Sequence, residues 1–297
     1  MKLTSILVQV GVLLTFTQAG ATILPPNNLH LQDDINRAAN MTEQEFNDII
    51  DGVIKKFEPI VAKHGAKLTV TKNWKDSTVN AYAQQTGTNW NVAMFGGLAR
   101  RAEVTPDGFA LVVCHELGHH LGGYAFKGER WAASEGQSDY FATQACAREI
   151  WGKDNNSTAA EKVDEVARIG CNKAWKSVAD QNLCYRTANA SYSLAHLLSV
   201  LGGAGLPKFD KPDGKVVTVT NTEHPQGQCR LDTYYQGALC NMAFDLSIIP
   251  GKAHADGQNS MAAEKIANKY ACNQAAASVY GNRPFCWFKP KITAGQQ

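Results

Sequence analysis

The 297-residue chain has no run of like charge, no internal repeat and no apolar stretch long enough to cross a bilayer. It also lacks charge of a prevailing sign: 29 basic against 27 acidic residues leave a formal net charge of +2. A polyanion-binding surface needs a clustered basic excess, so these absences argue against nucleic acid and anionic lipid as partners. With 44% hydrophobic and 19% charged residues, a disordered tail and a coiled coil are excluded as well. The chain is long enough for one large domain or two small ones. What it has in unusual supply is cysteine, eight residues and an even number.

The start of the chain says where those cysteines are used. Met1 and Lys2 lead into an apolar stretch from Ile6 to Phe16, broken by Gln9 and Thr15, and then into Ala19-Gly20-Ala21. A positive start, a short apolar core and a small-residue site predict a secretory signal over residues 1–21, cleaved after Ala21. No cysteine lies near that cut to take a lipid. The expected compartment is oxidising, periplasmic or extracellular, where thiols pair. Sequons at Asn40, Asn155, Asn156 and Asn189 carry glycan only in a eukaryotic secretory route. Residues 22–40 are expected to form a short N-terminal segment.

Local patterning predicts mixed elements. Phe46, Ile49, Ile50, Val53, Ile54, Phe57, Ile60 and Val61 recur at helical spacing between Thr42 and His64, with Thr42 and Glu45 set as a capping box. Residues 67–74, 78–84 and 90–95 read as strands of a small antiparallel sheet, with a turn at Thr86-Gly87-Thr88. Thr105-Pro106-Asp107 starts a helix that Gly122-Gly123 stops. Ser134 with Gln137 starts another, running to about Trp151, and two more are expected between Ala159 and Gly203. A loop rich in Gly, Pro, Asp and Lys follows to about Gly214, and four of the eight cysteines lie beyond His224.

The helix predicted over residues 106–121 carries His115-Glu116-Leu117-Gly118-His119, the HExxH pattern. Residues four apart share a helical face, so both imidazoles reach one metal, and Glu116 is placed to act as general base on a water there. A catalytic zinc needs a third protein ligand and an open position. A histidine six residues past His119 would supply it in one zinc-peptidase class, but Ala125 stands there. The acidic pair on the next helix is the alternative: Glu135 and Asp139 lie four apart, Glu135 assigned to the metal and Asp139 to a hydrogen bond on a ligating histidine. His120 points about 100° away from His119 and is read as a packing residue. His30, His64, His196 and His254 have no partner pattern and are read as structural.

On these residues the chain resembles the gluzincin metallopeptidases of the CAAX-prenyl-endopeptidase family. Four blocks between about Lys67 and Asp232 carry the resemblance in order: Val79-Asn80-Ala81-Tyr82-Ala83, the stretch Asn91 to Leu98, the HELGH helix, and Glu135-Gly136-Gln137-Ser138-Asp139-Tyr140-Phe141-Ala142. His224-Pro225 followed by Arg230 is similar to the family's HPxxxxR segment. The resemblance implies that His224 donates a hydrogen bond to the developing oxyanion, with Arg230 buttressing its loop. It also implies a polypeptide substrate laid in extended form along Asn91, Val92, Ala93, Met94 and Phe95. Only 15 residues separate His119 from Glu135, fewer than in many relatives, and the cysteine-rich end lies outside the resemblance. Peptide hydrolysis is therefore the expectation, and a prenylated substrate is not.

Together these readings predict an α+β chain with a zincin-like metallopeptidase domain over residues 41–232 and a disulfide-braced extension over 233–297 packed on it. The expected function is an exported zinc-dependent endopeptidase with no nucleic acid partner and no integral membrane segment after signal cleavage. The alternative is a catalytically silent protein of the same fold, a periplasmic substrate-binding or chaperone module. Eight cysteines allow 105 pairings. Proximity in sequence favours Cys171 with Cys184, Cys229 with Cys240, and Cys272 with Cys286. Cys146 is expected to lie roughly 16 Å along its helix from Glu135, which disfavours a bridge to Cys114.

Overall fold

A computed structural model describes residues 20–33, 40–128, 131–252, 254, 256–272 and 280–292, so all but the last two residues of the expected signal lie outside the described residues. The described chain is α+β. Strand β1 (Ala21–Thr22) is followed by helix α1 (Glu43–Lys63), strands β2 (Lys67–Asn73), β3 (Ala81–Thr86) and β4 (Asn89–Phe95), and a short turn of helix, α2 (Gly96–Ala99). In α1 the capping box forms as expected: the Thr42 hydroxyl accepts from the Glu45 N–H, and the Glu45 carboxylate accepts from the Thr42 N–H at 2.8 Å. Its stripe of Phe46, Ile50, Val53, Phe57 and Val61 is buried against β2 and helix α3 (Pro106–Leu121). Burying a side chain of that size contributes about 1.5–3 kcal/mol, so this stripe anchors the sheet to the helical layer.

The sheet order is β1-β3-β4-β2. Strands β3 and β4 form the antiparallel hairpin that the turn requires, with Gly87 at φ 59°, a conformation glycine adopts without a side-chain penalty. The expected all-antiparallel sheet is corrected here, because β2 runs parallel to β4, pairing Lys67 with Asn89 through Asn73 with Phe95. A tight turn fixes direction only for the two strands it joins; the longer segment 74–80 lets β3 enter with β4 beside β2. β1 lies antiparallel on the outer edge of β3.

Thr105 caps α3 through the Gly108 N–H, and Pro106 occupies its first turn as the sequence predicts. Ser134 caps the next helix, α4 (Glu135–Phe141), which continues through a π turn at Ala142–Cys146 into α5 (Ala147–Trp151). Helices α6 (Glu165–Ala174) and α7 (Val178–Leu201) follow, then α8 (Gly227–Leu239) and α9 (Met261–Ala267). The expected boundary at residues 232 and 233 falls inside α8. None of these helices is long and apolar enough to cross a membrane.

Four disulfides pair all eight cysteines, as an oxidising compartment allows. Cys171–Cys184 forms as expected. The other two local pairs do not: the bridges are Cys229–Cys286 and Cys240–Cys272. The final segment folds back over α8 instead of closing on itself, so proximity in sequence was the wrong guide. Cys114–Cys146 also forms, with its α-carbons 5.7 Å apart. The 16 Å offset was measured from Glu135, whereas the two helices touch at Gly118 and Ser138. From that contact, moving back along α3 to Cys114 and forward through the π turn to Cys146 keeps the two together.

Candidate metal centre

The site is assembled where α3 crosses α4. A β-carbon at Gly118 would lie 2.9 Å from the Ser138 α-carbon and carbonyl oxygen, so the glycine of HELGH is what lets the two helices approach. That approach brings Glu135, the first residue of α4, opposite His115 and His119. One ligand atom from each lies within 4.8 Å of the others. His115 Nε2 is 3.3 Å and His119 Nε2 3.7 Å from Glu135 Oε2. All three side chains are fully buried, and neither those nitrogens nor either Glu135 oxygen makes a hydrogen bond. Buried polar atoms are rarely left this way, since each costs on the order of 1–3 kcal/mol.

The far side of each ring is fully engaged. His119 Nδ1 donates to the Ala133 carbonyl at 2.8 Å and lies 3.0 Å from the Ser138 hydroxyl, while His115 Nδ1 meets Asp139 Oδ1 at 2.7 Å. A carbonyl only accepts, so the His119 Nδ1 proton is fixed and the Nε2 lone pair turns inward, the arrangement seen around metal-bound imidazoles. Arg230, itself buried, grips Asp139 with two charge-assisted bonds, Nε to Oδ2 at 2.7 Å and Nη2 to Oδ1 at 2.6 Å. Asp139 thus stands behind His115, as expected of it, whereas Arg230, expected to buttress the His224 loop, holds Asp139 and the Ile23 carbonyl instead.

Glu116, Glu135 and Asp139 are buried carboxyl groups gathered around one buried guanidinium, Arg230. Lys127 reaches in from the rim, its Nζ 3.7 Å from Glu135 Oε1 and 2.9 Å from Glu223. Burial pushes Glu116 up to about 8 and His119 down to about 4. His115 is also opposed by burial, but the charge and hydrogen bond of Asp139 carry it up to about 9. The His115–His119–Glu135 set can hold a metal ion, and its unbonded inward atoms fit one.

Glu116 follows His115 on α3 and is fully buried, and neither of its oxygens makes a hydrogen bond. His224, in the long segment between α7 and α8, is brought into the same centre: its Nε2 is 3.5 Å from Glu135 Oε2 and donates to the Thr22 carbonyl at 2.7 Å. Burial lowers its pKa, against the pull of Glu135.

The expected substrate strand is corrected. Asn91, Val92, Ala93, Met94 and Phe95 belong to β4, which is paired with β3 on one side and β2 on the other, so no edge is left there to accept a peptide. The edge nearer the site is that of β3. His120 is a packing residue as expected, stacked between Trp90 and Trp131 with Nε2 on the Asn91 carbonyl, and burial lowers it to about 3.

What sequence reasoning missed is the N-terminal side. Arg230 Nη1 donates to the Ile23 carbonyl at 2.6 Å, so Thr22 and Ile23 line the centre from the front. The β-branched Thr22-Ile23 pair was a strand signal, but it stands against the expected signal cut and was read as its border. Comparison of the chain with family models, with curated proteins and with solved structures finds no match.

Proposed function

We propose that this protein is an exported zinc-dependent endopeptidase of the gluzincin type, built on a zincin-like fold. The observation that carries the reading is a buried carboxylate without a hydrogen bond, Glu116, beside a His115–His119–Glu135 set whose inward atoms are equally unbonded. Two imidazoles and a carboxylate with a place left for water are the donor set of a catalytic zinc. When bound, zinc lowers the pKa of a water toward neutrality and polarises a carbonyl.

The chain's own residues supply the rest. Glu116 takes a proton from the attacking water and returns it to the departing amine, a task suited by a carboxyl that burial holds near neutral pH. His224 donates from Nε2 to the oxygen on which negative charge grows, and that bond strengthens in the transition state. Asp139, held by Arg230, keeps the His115 ring in register. A purely structural metal site gains nothing from Glu116, which weighs against the silent binding module.

Purified protein is expected to contain one zinc per chain and to cleave casein, with cleavage stopped by a chelator. Glu116→Gln is expected to keep the zinc and lose about a thousandfold in rate. Native-rate cleavage by that variant would falsify the mechanism, and stoichiometric zinc without any hydrolysis would favour the silent module.

A further inference from the structure

The front of the centre is filled by the chain's own main chain. Residues 21–22 form β1, antiparallel on the edge of β3 with Ala21 opposite Ala83 and Thr22 opposite Tyr82, and the Ile23 N–H continues the pairing to the Ala81 carbonyl at 3.3 Å. An extended peptide added to a sheet edge is the way a groove of this kind holds a polypeptide. Ile23 and Leu24 are buried, and beyond them Leu24 and Pro25 border a cleft of about 210 Å³ with Leu198, Leu201 and His224.

One peptide bond in this segment meets the groups assigned to chemistry. The Thr22 carbonyl oxygen accepts from His224 Nε2 at 2.7 Å, the donor assigned to the oxyanion. The Ile23 carbonyl is fixed by Arg230 at 2.6 Å. The carbonyl of this bond and the carbonyl that follows it are thus each met by a side chain of the centre, while the nitrogen between them is held on the β3 edge by the Ala81 carbonyl. A strand that merely covered the site has no need for this register.

We infer that Thr22–Ile23 is a bond the protein hydrolyses in its own chain. Water adds its oxygen to the Thr22 carbonyl carbon and the C–N bond to Ile23 breaks. Glu116 carries the water's proton to the Ile23 nitrogen, and the new acid gives up its remaining proton, leaving a Thr22 carboxylate and an Ile23 ammonium. The inference rests on the endopeptidase reading. It adds a defined first substrate: an extended segment with a β-branched aliphatic residue after the cut, presented in cis.

The test is the first residue of the mature protein, read by intact mass and N-terminal sequencing. The exported wild-type chain is expected to begin at Ile23, while Glu116→Gln begins at or before Thr22; an export peptidase cutting after Ala21 leaves Thr22, a different mass. Chelator-purified wild-type chain provides a second route if the variant does not fold: added zinc should release the piece ending at Thr22 at a rate independent of chain concentration. Hydrogen exchange of the zinc-free chain reads the seating of the strand without any turnover, and the Ile23 amide should be protected. An identical first residue in wild type and Glu116→Gln, or a freely exchanging Ile23 amide, overturns the inference. Casein cleavage with the Thr22–Ile23 bond intact defeats the inference alone, whereas failure of both reactions defeats the endopeptidase reading itself.

Discussion

The two faces of helix α4 are built from opposite chemistry. Toward α3 it presents Glu135, Ser138 and Asp139 to two histidines and an arginine, all buried and joined by hydrogen bonds or charge. Toward the end of the chain it presents Gly136, Gln137 and Tyr140 to a covalently braced segment. A β-carbon at Gly136 would lie 2.3 Å from the Trp287 ring, the Tyr140 hydroxyl donates to the Gly281 carbonyl at 2.6 Å, and Arg283 reaches Gln137 at 3.3 Å. Cys229–Cys286 and Cys240–Cys272 tie that segment to α8, the helix that carries Arg230. One face gathers the ionisable groups that could hold a metal; the other holds the helix still. The difference teaches that the candidate metal set and the bracing of the fold are separable, although seven residues of one helix serve both.

Removing the metal should strain the charged face most. At a thousandfold excess of zinc over Kd, binding contributes about 4 kcal/mol, so chelation should lower Tm by about 10 °C in a chain of this size. A Tm indifferent to chelator would mean that the buried carboxylates do not depend on a cation. On the other face, Cys240→Ser combined with Cys272→Ser should cost about 3 kcal/mol in denaturant unfolding and leave zinc affinity within about twofold. Loss of zinc along with stability would collapse the distinction between the faces.

Asp139→Asn tests the support behind His115: zinc affinity should fall about 10- to 100-fold in a competition titration. Gly136→Ala sharpens the comparison because it pushes from the braced face. Its added methyl meets Trp287 and should cost about 2 kcal/mol, with a smaller loss of zinc affinity as Glu135 is displaced. The smallest effect belongs to neither face. Burial raises Asp232 on α8 from 3.8 to about 6, so the folded state holds that proton more tightly than the unfolded chain. The resulting penalty is absent below about pH 4 and complete above about pH 6. Asp232→Asn should therefore gain stability at pH 8 and nothing at pH 4, measured by urea unfolding at the two pH values.

Much of this is legible in the sequence. The capping box at Thr42, the Thr105-Pro106 start and the Ser134 cap each place a helix start correctly, because caps and prolines act on their immediate neighbours. The spacing of His115, Glu116, His119, Glu135 and Asp139 likewise follows from helical periodicity alone. What the sequence misjudged were pairings between distant segments. β2 joined β4 in parallel, Cys229 reached Cys286, Cys114 met Cys146, and the sheet edge beside the site proved to belong to β3.

The features noted at the outset keep their meaning: no like-charge run, no apolar run long enough to cross a bilayer, and cysteine in even number. By itself the sequence determined the local elements, the residue types of the centre and an oxidising compartment, since these depend on neighbours along the chain and on composition. Tertiary structure alone decided that Arg230 would grip Asp139, that His224 would come to Glu135 from 89 residues further along the chain, and that Thr22 and Ile23 would lie across the front. Those contacts are set by how helices cross and which strand edge remains open, and neither is written in any short stretch of chain.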